Sequence, residues 1–184
     1  MGSGPNSKEA LSRFLADIER RAFKMARFAS GNTDEALDVV QDGMMEFVKR
    51  YSDQPQEKWK ALFYRVLHSR IVDWHRRSFV RRRVLTWLGR GDADEDADDR
   101  LLNLPDPASP NPYDQAVHQE ERAALEKAIR ALPLRQRQAF LLRAWEGMDV
   151  AQAAFAMGCA EGSVKTHYSR AIHSLRGMLE DVRI

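Results

Sequence analysis

Hydrophobic positions recur at three- and four-residue intervals through most of this chain, the period of an α-helix laid against a core. Leu11, Phe14, Leu15, Ile18, Ala22, Met25 and Ala26 make the first such stripe. Gly31-Asn32 stops it, and Thr33 or Asp34 is placed to cap a second helix. Leu37, Val40, Met44, Phe47 and Val48 form the second apolar stripe, and Asp53-Gln54-Pro55 breaks it. A third helix starts near Gln56 to Lys58 and carries Trp59, Leu62, Phe63, Val66, Leu67, Ile71 and Trp74. Further on, Val117, Leu125 and Ile129 mark a helix ending at Leu132-Pro133, and Gln136 to Glu146 the next, closed by Gly147. Val150 to Met157 reads as a short helix, Gly158 as a turn, and Glu161 to Leu179 as the last helix. Helix formers dominate and long β-branched runs are absent, so the expected fold is all-α.

The periodicity lapses between the third and fourth helices. There Gly89 and Gly91 precede Asp92, Asp94, Glu95, Asp96, Asp98 and Asp99, and Pro105, Pro107, Pro110 and Pro112 follow. Such a stretch buries too little apolar surface to offset its chain entropy. The expected organisation is two small helical domains, residues 8–88 and 113–184, joined by an acidic, proline-containing flexible linker at 89–112. The formal net charge of +2 conceals this segregation. Between Arg65 and Arg90 the only acid is Asp73, against Arg65, Arg70, Arg76, Arg77, Arg81, Arg82 and Arg83. So one-sided a cluster repels itself unless an anionic partner meets it. A single cysteine, Cys159, rules out an internal disulfide framework. The N-terminus lacks an apolar stretch of signal-peptide length, and no window approaches a membrane span. The expectation is a cytoplasmic protein without membrane insertion.

The last three helical patterns have the lengths of a helix-turn-helix. Ala151, Ala153, Ala154 and Ala156 allow close helix approach, and Val164, Tyr168, Ala171, Ile172 and Leu175 form the inward face of the final helix. Lys165, Thr166, His167, Ser169, Arg170 and His173 are left outside, a basic, hydroxyl-rich face suited to phosphates and the major groove. In the first half, Asp38, Gln41 and Asp42 share one face of the second helix, which by itself fits a solvated acidic face better than a surface for a basic partner. In the third helix aromatics alternate with arginines. Arginines track phosphates and aromatics stack on unpaired bases, although Trp59, Phe63 and Trp74 fit a core equally well.

The segment Leu132 to Arg176 resembles the promoter-binding C-terminal domain of bacterial sigma factors of the extracytoplasmic-function (ECF) type. The residues that carry the likeness are Leu132-Pro133 with Arg135, Gln136 and Arg137, then Glu146-Gly147, Gly158, Glu161 to Lys165, Arg170-Ala171 and Leu175-Arg176. Gln152 stands where the family has an acid and Ala160 where it often has a serine helix cap. Asp38 to Asp42, with Met44, Met45, Phe47 and Val48, resembles the sigma helix that docks on the β′ clamp helices of RNA polymerase. Trp59 to Arg77 resembles the segment that melts and reads the minus-10 element, with Ser69, at the border of the family's base-capturing loop, in place of asparagine.

The resemblance implies a transcription initiation factor that binds core RNA polymerase and directs it to promoters. It assigns Ser163, Lys165, Thr166, His167 and Arg170 to the minus-35 element. To the minus-10 element it assigns Trp59, Tyr64, Ser69, Arg70, Asp73, Arg76 and Arg77, and to polymerase Asp38, Gln41 and Asp42. It further implies an anti-sigma factor as partner and a linker threading the polymerase channel. A stand-alone dimeric regulator of the response-regulator type shares the Val164-Lys165-Thr166-His167 run, but the acidic face and the arginine-aromatic helix argue against it. An enzyme is disfavoured, and neither cofactor nor metal is expected. The five histidines are scattered, Cys159 lacks a CxxC partner, and no HExxH or glycine-rich phosphate loop occurs.

Overall fold

The computed structural model describes residues 5–87 and 112–180. All regular elements among the described residues are helices: α1 (Pro5–Ser30), α2 (Thr33–Tyr51), α3 (Gln56–Trp87), α4 (Pro112–Ala131), α5 (Leu134–Phe140), α6 (Val150–Met157) and α7 (Glu161–Glu180). The acidic run and prolines read as a linker lie outside the described residues.

The helix limits follow local chemistry. The residue capping α2 is Asn32, whose side chain accepts from the Glu35 N–H at 3.1 Å, and neither Thr33 nor Asp34 does so. Asn32 has the extended backbone a cap needs, while Thr33 is already helical. Helix α3 runs 32 residues without interruption, because Gln56 to Leu88 holds neither glycine nor proline. At 1.5 Å per residue it is about 48 Å long. Ser69 therefore lies inside a helix, and the loop expected at its border is replaced by continuous α3. The Arg81–Arg90 stretch extends this helix as far as Trp87.

The stripe expected on α2 is rotated. Ala36, Val39, Val40, Gly43 and Phe47 are buried, whereas Leu37 and Val48 are 51% and 37% exposed. Gly43 lies on this buried edge, facing Leu67 of α3, where a Cβ would make an ordinary contact at 3.6 Å. Leu125, expected in the core of α4, is likewise more than a third exposed, whereas Ile129 is buried as expected, with Ala128 beside it. The first core is aromatic, with Phe14 5.5 Å from Trp59 and 5.6 Å from Phe47, and Phe47 5.7 Å from Phe63.

In the second half, α5 does not continue as one α-helix to Glu146. It widens into a π-turn at Leu141–Trp145, where Glu146 N–H bonds to Leu141 O at 3.0 Å. Asp149 then caps α6 in a reciprocal box with Gln152, the bonds being 2.7 and 3.1 Å. Gly158 ends α6 at φ 61°, a left-handed conformation that costs glycine nothing. Val164, Ala171 and Leu175 seat α7 in the core.

The two halves are packed together. Their buried residues form one continuous cluster, in which α3 is covered on one side by α1 and α2 and on another by α6, while α4 touches α1.

Candidate nucleic-acid and polymerase interfaces

Helix α7 presents the outer member of the helix-turn-helix. Lys165, Thr166, Ser169 and Arg170 are exposed, and Ser163 and His167 are half-buried beside them. The Thr166 hydroxyl donates to Gly162 O at 3.0 Å, which holds its side chain along the first turn. Cys159 sits at the turn, half-buried. Residue Ala160 offers no side-chain cap, and its carbonyl accepts from Ser163 and Val164 to start α7. Gln152, standing where an acid was expected, closes the box that starts α6.

On α2, Asp38, Gln41 and Asp42 are all exposed. The inward rotation of the helix places Leu37, Met45 and Val48 in the open beside them, Met45 at 64% exposure. The sequence pattern alone gives Leu37 and Val48 to the core, so the apolar part of this face is visible only in the structure. Its signal in the sequence is the spacing 37, 41, 45 and 48, one helical face that also carries Gln41.

The residues assigned to the minus-10 element separate into two groups. Trp59 is 3% exposed, packed on Phe14, and its indole N–H donates to Gln54 O at 2.7 Å. Tyr64 is fully buried between the halves. Both are thus removed from any base in this conformation, because at their register α3 turns these side chains into its two packing faces. Ser69, Arg76 and Arg77 are exposed, and Asp73 and Trp74 half-buried. Arg70 is paired with Glu46, which also holds Arg50 at 2.8 Å. A groove of about 290 Å³ joins the two sets: Asp38 and Asp42 of α2 face Trp74, Arg77 and Arg81 of α3, and Arg81 pairs with Glu35 at 2.7 Å. The acidic and basic faces, separate in the sequence, share one cleft.

A further cluster lies where the halves meet. Glu146, at the end of the π-turn, buries its carboxylate completely beside Lys60 Nζ (3.5 Å) and Arg21 (3.8 Å). Lys60 donates its short bond, 2.6 Å, to Glu146 O. The Tyr64 hydroxyl faces the same carboxylate, and burial first, then Glu146, pushes its pKa up. Arg65 lies 4.6 Å over the Phe155 ring. His68 Nε2 is 3.0 Å from Arg135 Nη1, and burial, reinforced by that guanidinium, lowers its pKa to about 4. Arg137, in turn, donates to Phe28 O of the other half. In the sequence Glu146 stands out only as part of a motif. Its partners stand more than 80 residues away along the chain, so no local pattern could reveal them.

Two family models match the chain: sigma-70 region 2 over residues 12–83 and sigma-70 region 4 over residues 122–175. It is 31% identical over 160 residues to the ECF RNA polymerase sigma factor EcfG of Rhodopseudomonas palustris (strain TIE-1), covering 86% of this chain and 78% of that one. It is 32% identical over 156 residues to the RNA polymerase sigma-E factor of Streptomyces coelicolor, covering 78% and 83%. In fold it is similar to the sigma factor RpoE, co-crystallised with the anti-sigma factor NepR from Bartonella quintana (TM-score 0.67, 23% identity, 92% and 96% covered). It is also similar to CnrH in complex with the cytosolic domain of CnrY (TM-score 0.58, 18% identity, 95% of each chain). With a region 2 half carrying the acidic and arginine-aromatic faces and a region 4 half carrying the helix-turn-helix, the chain belongs to the ECF-type RNA polymerase sigma factors, which direct transcription initiation to promoters.

Proposed function

We propose that residues 8–88 dock on core RNA polymerase and open the minus-10 region, that 113–184 read the minus-35 element, and that 89–112 tether the two. The docking set is Asp38, Gln41 and Asp42 with Leu37 and Met45 around them, opposite the β′ clamp helices. Ser163, Lys165, Thr166, His167 and Arg170 enter the major groove. Ser69, Arg70, Asp73, Arg76 and Arg77 attend the minus-10 strand. Trp59 acts on that site only by holding α3 against α1, and Tyr64 reaches it only after the halves part. Polymerase supplies all the chemistry, and the place of action is the cytoplasm. Among the described residues no helix is long and apolar enough to cross a membrane. An anti-sigma factor is the expected negative partner, since the fold relative RpoE is held by one in its co-crystal.

The observation that carries this reading is the α2 face, where three polar groups and large apolar side chains stand exposed together. A monomer gains nothing from such a surface, and a docking helix uses both parts. Core-binding and run-off transcription assays test it. Asp42→Ala weakens core binding and leaves promoter contact by α7 intact. A parent chain that stays free of core polymerase at micromolar concentration would refute the reading.

A further inference from the structure

Acids and arginines face one another along the boundary between α2 and α3. On α2, Glu35, Asp38, Asp42 and Glu46 follow at three- and four-residue steps, and on α3 Arg70, Trp74, Arg77 and Arg81 do the same. The two stripes run antiparallel and keep step, since positions 35 to 46 span as many residues as 70 to 81. Glu35 pairs with Arg81 at one end and Glu46 with Arg70 at the other, while Asp38 and Asp42 face Trp74 and Arg77 in the cleft between. The Arg70 end is the more enclosed. The Glu46 and Arg70 side chains are 19% and 31% exposed, against 24% and 63% for Glu35 and Arg81. Both Glu46 oxygens are engaged, Oε2 by Arg70 and Oε1 by the Arg50 Nε–H at 2.8 Å. The helices are already joined through apolar packing, Gly43 facing Leu67 and Phe47 against Phe63. A partly exposed ion pair adds little to that.

We infer that Glu46 is a positioning residue for minus-10 recognition: it balances the charge of Arg70 and aims its guanidinium, so that this arginine discriminates between sequences and adds little general affinity for phosphate. The inference rests on the place given to Arg70 in the proposed function. A guanidinium carries five N–H donors in one fixed plane. With Nη2 bound to Glu46, that plane is oriented, and donors on its other edges remain for a nucleic-acid strand. An unpaired arginine binds phosphates wherever they stand and releases counter-ions without regard to sequence. An arginine whose charge is already balanced gains little that way and contributes through donors held toward one place. Glu46 stands one turn beyond Asp42 on α2, outside both the docking set and the minus-10 set, and acts on DNA only through its partner on α3.

The test reconstitutes the full chain with bacterial core RNA polymerase and offers it a pool of forked DNA whose single-stranded minus-10 positions are randomised, and the bound fraction is sequenced. The parent enriches a narrow set of sequences. Glu46→Gln keeps the shape of the side chain and removes its charge. This variant keeps the parent's helix content by circular dichroism and its affinity for core, and binds the unselected pool more tightly. Its slope of log affinity against log salt is steeper by about 0.7, the value for one further phosphate on a single strand. Its enrichment of the best sequences over the pool falls about tenfold, the discrimination of one aimed base contact. Arg70→Gln loses the enrichment and keeps the parent's slope, and adding Glu46→Gln to it changes neither, because the acid acts through the arginine. Unchanged slope and enrichment in Glu46→Gln would overturn the proposal. So would equal changes with and without Arg70, which would make Glu46 a plain negative charge near DNA. A parent chain that fails to bind core polymerase, or that enriches no sequence, would instead overturn the function on which the inference rests.

Discussion

Acidification is a sharp probe of the boundary between the halves, because His68 sits there in its neutral form. Its Nε2 faces Arg135 Nη1 at 3.0 Å, so the ring accepts and carries its proton on Nδ1. Protonation would set a second buried cation against the guanidinium. Burial is the larger cause and Arg135 the second, and together they bring the pKa from 6.5 to about 4. A base whose pKa is lowered binds fewer protons in the packed state than in the open or unfolded chain, so stability rises with pH. The contribution is complete above 6.5, falls as the pH drops toward 4, and is flat below. The full gap, at about 1.4 kcal/mol for each tenfold in affinity, is worth about 3 kcal/mol at most, and about 2 kcal/mol has gone by about pH 5. Other groups titrate too, so the comparison is with His68→Gln, which keeps an acceptor for Arg135 and cannot take a proton. Urea unfolding at pH 7.5 and pH 5 isolates the difference: the parent loses about 2 kcal/mol more than the variant. The imidazole C–H resonance of His68 stays in its neutral position above about pH 5. A His68 resonance titrating near 6.5, or equal losses in parent and variant, would refute the reasoning.

Phe47→Ala empties the centre of the aromatic core shared with Phe14, Phe63 and Tyr51, and urea unfolding registers a loss of about 3–5 kcal/mol. Asp149→Ala removes the box at the start of α6, costs about 1 kcal/mol, and speeds amide exchange at Gln152. Gly158→Ala forces a side chain into the left-handed region, costs about 1–2 kcal/mol, and lowers the thermal midpoint. Arg170→Ala weakens promoter binding across sequences, and the slope of log affinity against log salt becomes shallower by about 0.9 for each phosphate that the guanidinium neutralises in the parent.

Helix existence, order and most stop signals were legible in the sequence, since they depend on short-range chemistry. Period-3.6 stripes, Gly31, the break at Pro55 and the Gly158 turn act within one or two helical turns. The helix-turn-helix face of α7 was legible for the same reason, its spacing being a property of one helix. The rotation of α2 was not. Its sequence offers two apolar arcs, and packing against α1 and α3 buries one and leaves Leu37 and Val48 outside. Nor could composition decide what Trp59 and Tyr64 do. Aromatic residues on an arginine-rich helix serve a core or a base equally well, and the neighbours that bury these two come from α1 and from the far half of the chain. Glu146, Lys60 and Arg21 make the same point in charge. Each is unremarkable in its own segment, and their meeting depends on two halves docking across a long connection. The chain itself thus determined which surfaces exist. Tertiary packing decided which of them face water, because a side chain's burial depends on neighbours that its own segment does not contain.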